Sequence, residues 1–301
     1  MDKIKNINYC PICSESKFTL FIECVDYTVS QKKFTIVKCE ACDFHFTNPV
    51  PVAEEIGEYY KSESYVSHSS SNKGLINKIY HKVRAYTLKQ KVKLIQSKTN
   101  GLDHLDIGAG TGHFINATAQ AGFNTLGLEP DEDARNLANS TFKVNIQSLD
   151  ELHKLEDNSR DVITMWHVLE HVYDLKKDVE KMTKILKEDG VMIVAVPNRN
   201  SYDAKKYKEF WAAWDVPIHL WHFSKKSIQS LFAKWDFKLV KTKPMLFDSF
   251  YVALLSEEYK FGRKNLFKGF VIGFISNILG MLSKRGCSST IYVFQKVKDS
   301  K

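Results

Sequence analysis

Hydrophobic positions in the second half of the chain follow two alternating spacings. From residue 102 onward, short apolar runs are separated by stretches in which apolar residues recur every three or four positions. This alternation is typical of parallel strands joined by crossover helices. It predicts strands near 102–107, 124–129, 143–147, 161–166, 191–196, 236–243 and 289–295. It predicts helices near 112–121, 131–139, 172–188 and 225–234, with the third ending at Asp189 and Gly190. The pattern therefore indicates an α/β fold with a doubly wound, mostly parallel sheet of seven strands.

Three further features surround this region. Residues 73–98 have helical apolar spacing, which predicts a lead-in helix beside the sheet. Prolines at 49 and 51 indicate a boundary between a small module, 1–50, and a main domain, 51–301.

Residues 248–285 are predicted as a helical cap inserted before the last strand. Its apolar part, 264–285, has basic flanks and is too short and interrupted to cross a bilayer, so it forms either a lid over the cleft or a helix at a membrane surface.

Composition narrows the class of protein. The 301 residues, 44% of them hydrophobic, suffice for one large domain with a buried core and an appendage. The net charge of +8 favours an anionic partner, which could be a phosphorylated substrate, a nucleic acid or an acidic membrane surface. The first eight residues lack the apolar stretch of an export signal. We therefore expect a cytoplasmic protein, with a peripheral position at the inner membrane surface as an alternative.

A glycine-rich turn follows the first strand predicted for the sheet. The turn consists of Gly108, Ala109, Gly110, Thr111 and Gly112. Glycines let the backbone turn tightly and approach a ligand closely, and Asp106 lies just before them. The next strand ends at Glu129 and Pro130, about twenty residues farther on, where an acid can bind the hydroxyls of a ribose. His113 stands where a dinucleotide fingerprint requires its third glycine, so the turn favours a different nucleoside cofactor.

These residues resemble the first motifs of class I S-adenosylmethionine (AdoMet) methyltransferases. Segments 160–172 and 185–198 resemble later parts of the same family, so the resemblance covers residues 75–245. It implies a Rossmann-like fold with AdoMet as cofactor, Asp106 near the methionine amine and His167 near the adenine or the methionine. Ligands of such folds lie at the carboxyl ends of the strands. We therefore expect Asp106, Glu129, His167 and Pro197 around one cleft.

Candidate catalytic bases lie in two segments that follow strands of this sheet. His171 comes four residues after His167, and His219 and His222 lie in an aromatic loop. Histidine is the natural base near neutral pH when methyl transfer requires removal of a proton. We predict His219, His171 and His222 as catalytic residues, with helix orientation as the alternative role of His171. Both segments also resemble the zinc-ribbon sugar C-methyltransferases, but Ile218 stands where that family has a glutamate, so oxygen and nitrogen acceptors remain open.

Four cysteines form two close pairs near the N-terminus. Cys10 and Cys13 make one C-x2-C pair, Cys39 and Cys42 make the other, and twenty-five residues separate the pairs. Each pair can offer two thiolates from a tight turn, and two such turns complete a tetrahedral zinc site with no open position. In a reducing compartment close cysteine pairs are metal ligands more often than disulfides. The spacing predicts a zinc ribbon held by a structural Zn²⁺ ion.

The function that these patterns favour is methyl transfer from AdoMet to a small-molecule acceptor. A sugar, a phenol or quinone precursor and a secondary metabolite are the acceptors considered, and a lipid-linked one is compatible with the apolar insertion. One alternative is an RNA methyltransferase whose ribbon binds RNA. The residues after the fourth strand, Trp166 to Leu169, differ from the Asn-Pro-Pro-Tyr type that grips a flipped base, which disfavours nucleic acid. A non-catalytic adaptor is the other alternative, and the patterns do not predict an oligomeric state.

Overall fold

A computed structural model describes residues 3–60, 75–283 and 286–297. The first part of the chain is a small β module. Its strands are β1 (Ile4–Lys5), β2 (Phe18–Val25), β3 (Lys33–Cys39), β4 (His45–Thr47) and β5 (Val50–Pro51). Strands β2, β3 and β4 form an antiparallel sheet, β1 pairs with β5, and a 3-10 helix at Ile56–Tyr60 follows.

The second part of the chain is a layered α/β domain. Its strands are β6 (Asp103–Ile107), β7 (Asn124–Glu129), β8 (Ile146–Ser148), β9 (Arg160–Trp166), β10 (Leu186–Pro197), β11 (Trp221–His222), β12 (Phe237–Pro244) and β13 (Ser289–Lys296). Its helices are α1 (Leu75–Gln96), α2 (His113–Gln120), α3 (Glu132–Phe142), α4 (Leu175–Ile185), α5 (Tyr202–Tyr207), α6 (Lys225–Phe232), α7 (Leu246–Phe261) and α8 (Leu266–Leu282). Positions 73 and 74 of the predicted lead-in helix lie outside the described residues.

Seven strands of this domain form one sheet in the order β8-β7-β6-β9-β10-β13-β12. Neighbouring strands from β8 to β10 are parallel, whereas β13 is antiparallel to both β10 and β12. Apolar side chains alternate between two buried clusters: Leu105 packs in one with Val179 of α4, and Val162 packs in the other with Ile95 of α1. Helices therefore cover both faces, as a parallel sheet requires. The predicted doubly wound fold is confirmed.

One predicted helix boundary is wrong. The helix expected to end at Asp189 and Gly190 ends at Ile185. Leu186 is fully buried and pairs with Arg160 of β9, so β10 already begins at this residue. Burial in the sheet therefore outweighs the helical spacing that the sequence shows there.

One predicted strand boundary is also wrong. The strand expected near 143–147 begins at Ile146. Lys143 adopts a left-handed conformation with φ of 57°, and its amide donates to the carbonyl oxygen of Asn139. This is a common way to end an α-helix, so α3 and its cap occupy the start of the predicted strand.

The β module and the α/β domain share one sheet and one core. Strand β11 pairs antiparallel with β4, which gives the order β11-β4-β3-β2. Arg199, which follows β10, donates hydrogen bonds of 2.7 Å to the carbonyl and the carboxylate oxygens of Asp43. Phe44 and Phe46 belong to the same buried cluster as Leu105. Strand β11, which lies in the aromatic loop, thus completes the sheet of the module. A domain boundary at residue 50 stays a prediction.

The insertion before the last strand is a helical hairpin of α7 and α8. A buried carboxylate ties it to the domain, because Asp203 of α5 accepts hydrogen bonds of 2.6 Å from Ser276 of α8 and Ser288 before β13. The indole nitrogen of Trp211 donates a third bond, of 2.7 Å, to the same carboxylate. The predicted end of the insertion falls on residues 284 and 285, which lie outside the described residues.

Candidate active site

The glycine-rich turn joins β6 to α2 and depends on three glycines with positive φ. These angles are 73° at Gly108, 52° at Gly110 and 79° at Gly112. A Cβ at Gly108 would clash with Val168, and one at Gly112 would lie 2.7 Å from the Cβ of Ala138. A Cβ at Gly110 would meet nothing within 4 Å. The first and third glycines thus allow close packing of the domain, while the space beside Gly110 is open.

Glu129 closes the turn from the end of the neighbouring strand. One carboxylate oxygen accepts a 2.8 Å hydrogen bond from the amide of Gly110, and the other accepts a 3.1 Å bond from the amide of Asp131. Burial raises the pKa of Glu129, and these two amides oppose the rise. Of the other predicted cofactor residues, Ala109 is buried beneath the turn, whereas Thr111 and Pro130 are exposed. The structure thus brings Glu129 and the glycines together.

Asp106 lies in the adjacent strand and is almost fully buried. It accepts a hydrogen bond from the hydroxyl of Thr164. Burial raises the pKa of Asp106 to about 7, although this hydrogen bond and the charge of Lys91 oppose the rise. The ammonium group of Lys91, from α1, lies 4.1 Å from the ring centroid of Trp166. Burial lowers the pKa of Lys91 to about 8, against the opposing charges of Asp106 and Asp248.

His167 lies directly after β9 with φ of 59°, a conformation that non-glycine residues rarely adopt. Its Nε2 lies 2.8 Å from a carboxylate oxygen of Asp248 of α7, and its Nδ1 lies 3.2 Å from Glu170. Burial alone would lower the pKa of His167, but the two carboxylates outweigh this effect and raise it to about 10. His167 is therefore a cation at neutral pH. Electrostatic attraction links Lys91 to Asp106 and Asp248, and ion pairs link His167 to Asp248 and Glu170. We call these five residues the charged row.

His171 and His219 form an edge-to-face pair at the far end of the charged row. Their ring centroids are 4.6 Å apart. Nδ1 of His171 lies 3.0 Å from the carbonyl oxygen of Ile218, and Nδ1 of His219 lies 3.0 Å from that of Ala213. A carbonyl oxygen can only accept, so Nδ1 of His219 carries hydrogen and its Nε2 keeps a lone pair. Nδ1 of His171 is equally close, 3.0 Å, to the hydroxyl of Tyr60, which can donate to it or accept from it. Burial lowers the pKa of His171 to about 4 and also lowers that of His219, so both rings are neutral at pH 7.

Glu170 completes a cluster with this histidine pair. One potential ligand atom from each of Glu170, His171 and His219 lies within 4.8 Å of the other two. Glu170 is buried, and its Oε2 has no hydrogen-bond partner among the described residues. Three electron-pair donors that converge in this way can share a proton or coordinate a cation. We call this group the histidine–carboxylate cluster.

The four predicted zinc ligands also converge. The sulfur atoms of Cys10 and Cys42 are 3.5 Å apart, those of Cys13 and Cys39 are 3.4 Å apart, and all four lie within 4.8 Å of one another. All four cysteines are free thiols. Each pair sits on a tight turn, in which the amide of residue 14 or 43 donates to the carbonyl oxygen of Cys10 or Cys39. The donor set and its closeness fit a tetrahedral zinc ion.

Comparison with known families decides the class of this fold. A family model described as "Methyltransferase domain" matches residues 79–242, which is more than half of the chain. The chain belongs to this methyltransferase family. The match begins in α1 and ends in β12, so it includes the glycine turn, the charged row except for Asp248, and the histidine–carboxylate cluster.

Curated relatives of this methyltransferase align over part of their length. A ubiquinone biosynthesis O-methyltransferase of Rickettsia typhi is 27% identical over 147 residues, which cover 44% of this chain and 58% of the relative. One from Actinobacillus pleuropneumoniae is 32% identical over 126 residues, covering 36% and 53%. A probable S-adenosylmethionine-dependent methyltransferase of Mycolicibacterium smegmatis is 29% identical over 125 residues, covering 40% and 45%. The chain thus spans about half the length of the curated relatives that it matches.

Solved structures support the same fold. Magnesium protoporphyrin IX methyltransferase from Synechocystis PCC 6803, solved with bound SAH, superposes with a TM-score of 0.53. The superposition covers 80% of this chain and 98% of that chain at 14% sequence identity. At this identity the likeness concerns the fold alone.

The predicted histidines of the methyltransferase separate into two environments. His171 and His219 meet in the histidine–carboxylate cluster. His222, on β11, instead has its Nε2 3.0 Å from the hydroxyl of Thr47 and its ring against that of Trp214. The hydroxyl of Thr47 also donates a 2.8 Å hydrogen bond to the carbonyl oxygen of His219. Through Thr47 the β module thus contacts the backbone of His219. The catalytic role of all three histidines stays a prediction.

Sequence reasoning missed three members of the charged row. Glu170 lies between the predicted residues His167 and His171, and this position is the signal that could have found it. Asp248 lies at the start of the inserted hairpin, where no motif marks it. Lys91 is one of several lysines on α1, and its only signal is that the nearby Val92 and Ile95 face the core. Lys91 and Asp248 join the charged row through tertiary packing.

Proposed function

We propose that the chain transfers a methyl group from AdoMet to a hydroxyl oxygen of a small-molecule acceptor. Family membership supports AdoMet as the methyl donor. The curated relatives named as O-methyltransferases support an oxygen acceptor. The main observation behind the proposal is the charged row. Its interactions run from Asp106, beside the glycine turn, to Glu170, beside the neutral histidine pair.

Residues of the glycine turn and its two neighbouring strands would hold AdoMet. We assign Asp106 to the methionine amine and Glu129 to the ribose hydroxyls, and the open space at Gly110 leaves room for the nucleoside. AdoMet supplies a methyl group on a positively charged sulfur, so the protein must chiefly align the acceptor. Lys91 favours the ionised form of Asp106, which is the form that attracts an amine.

The histidine–carboxylate cluster would remove the proton of the acceptor hydroxyl. Nε2 of His219 is available as a base, because the carbonyl oxygen of Ala213 holds hydrogen on the Nδ1 of this ring. Glu170 lies within reach of either ring and stabilises the imidazolium that forms. His167, already protonated and paired with Asp248, positions Glu170 from the other side.

Cys10, Cys13, Cys39 and Cys42 would hold a structural Zn²⁺ ion. Support for this assignment comes from four free thiols within 4.8 Å of one another on two tight turns. With four protein ligands the ion has no open position, so it contributes folding energy to the β module rather than chemistry.

The proposed reaction can be tested with the full chain and a panel of acceptors. The assay measures formation of S-adenosylhomocysteine with catechols, phenols and sugars, and NMR of the product identifies the methylated atom. We expect turnover with a hydroxylated acceptor and a product in which the new methyl carbon is bonded to oxygen. Amines of matched size serve as controls. Methylation of nitrogen or carbon, or no turnover with any hydroxylated compound, would contradict the proposal.

A further inference from the structure

Helix α8 has its large apolar side chains on the outside. Phe267, Phe270 and Phe274 are 78%, 60% and 51% exposed, and Leu282 at the end of the helix is 81% exposed. The residues that α8 buries are small or polar, namely Gly269, Gly273, Ser276 and Asn277. A surface helix of a globular protein normally has the opposite arrangement, with its apolar stripe toward the core.

The buried face of α8 packs closely against α7. A Cβ at Gly269 would lie 3.0 Å from the Cα of Leu254, and one at Gly273 would lie 2.8 Å from the Cα of Phe250. Asn277 donates a 2.8 Å hydrogen bond to the carbonyl oxygen of Leu246, which adds a polar contact between the helices. Small residues and hydrogen bonds inside, with large apolar residues outside, are typical of helix pairs that face lipid.

Basic residues surround the turn between the two helices. Lys260, Arg263, Lys264 and Lys268 are all exposed there. The ammonium groups of Lys260 and Lys268 lie 5.6 and 5.4 Å from the ring centroid of the exposed Phe261. Exposed cations beside an apolar face complement anionic phospholipid headgroups, and they would repel a second copy that carries the same charges.

The length of α8 indicates how it would meet a bilayer. Its 17 residues extend about 25 Å, which is less than the roughly 30 Å of a hydrocarbon core. Among the helices of residues 75–283, none combines the length and hydropathy needed for a membrane span. A helix of this kind lies in the plane of the interface with its apolar face toward the acyl chains.

We propose that the α7–α8 hairpin docks the enzyme onto an anionic bilayer surface. The docking surface consists of Phe261, Leu266, Phe267, Phe270, Phe274 and Leu282, with the basic turn at its edge. It goes beyond the proposed reaction and does not depend on it. Helix α7 also carries Asp248, the partner of His167. The hairpin proposed to meet the lipid therefore supplies one residue of the charged row.

Vesicle sedimentation with the full chain tests this proposal. We expect the chain to sediment with phosphatidylcholine vesicles that contain phosphatidylglycerol, and to be released from them by salt as the charge attraction is screened. The double variant Phe267→Ser/Phe270→Ser should weaken binding at least about tenfold, since it removes two exposed rings from the surface. Leu137→Ser is the control, because Leu137 is an exposed apolar residue outside the hairpin, on α3, and is 50% exposed. It should bind like the parent chain.

Two outcomes would overturn the proposal. The first is absence of sedimentation with anionic vesicles while circular dichroism shows the parent chain folded. The second is a dimer, detected by light scattering without lipid, that the Phe267→Ser/Phe270→Ser variant dissociates while vesicle binding is unchanged. In that case the face is an interface between copies of the chain. Both readouts are independent of turnover, so failure of the proposed reaction would not affect them.

Discussion

Replacement of His219 by alanine is expected to lower turnover by about two to four orders of magnitude, the usual contribution of a positioned general base. Nε2 of His219 is the proposed base of the histidine–carboxylate cluster, and its Nδ1 already donates to the carbonyl oxygen of Ala213. The affinity for AdoMet should change less than about twofold, because the change removes a group that acts on the acceptor rather than on the cofactor. Turnover by S-adenosylhomocysteine release and affinity by calorimetry separate the two effects.

A second histidine provides the matched control for this prediction. His153 lies on the surface and pairs with Asp178 at 2.8 Å, outside the cleft. We expect His153→Ala to retain the parent rate. Unchanged turnover of His219→Ala, or a parallel loss of AdoMet binding, would show that His219 is not the base.

Replacement of Cys39 by serine is expected to release zinc and to destabilise the β module by several kcal/mol, since metal binding free energy is folding free energy in small zinc sites. The effect should extend to the cleft. Strand β3 ends at Cys39 and pairs with β4, which pairs with β11, and Thr47 of β4 donates to the carbonyl oxygen of His219. Elemental analysis should find one zinc per parent chain and less in the variant, with lower resistance to denaturant.

Cys24→Ala serves as the control for the zinc prediction. Cys24 is buried in a separate apolar cluster with Ile36 and Tyr207, away from the four ligands. This variant should keep its zinc and lose no more stability than a small core substitution causes, about 1 kcal/mol. A parent chain without zinc, or a Cys39→Ser variant with full zinc content, would contradict the assignment.

Features that depend on local pattern could be predicted from the sequence. Strands β10 and β13 show continuous apolar runs because both of their faces are buried. The glycine turn is visible because positive φ at Gly108, Gly110 and Gly112 favours glycine. The paired cysteines are equally local. Each of these features is specified by a few neighbouring residues, so it can be recognised in the sequence.

Features that depend on distant contacts could not be predicted. Leu186 looks like the last turn of a helix, and only its pairing with Arg160 makes it part of a strand. Asp248 reaches His167 across 81 positions of sequence. The pairing of β11 with β4 likewise depends on the packing of the module against the domain. No pattern in the sequence therefore indicates that the β module contacts the segment of His219, whereas the structure pairs β4 with β11 and links Thr47 to the carbonyl oxygen of His219.

Isothermal titration calorimetry with AdoMet measures whether the glycine turn and Glu129 bind this cofactor. We expect saturable binding to the parent chain and a loss of at least about tenfold in affinity in Glu129→Ala, since a charge-assisted hydrogen bond to a ligand is worth about 1.5–3 kcal/mol. Glu132→Ala, which changes an exposed acid on the first turn of α3, should bind as the parent does. Absence of AdoMet binding to the folded parent chain, or equal affinity in Glu129→Ala, would contradict the assignment of the cofactor to the glycine turn and Glu129.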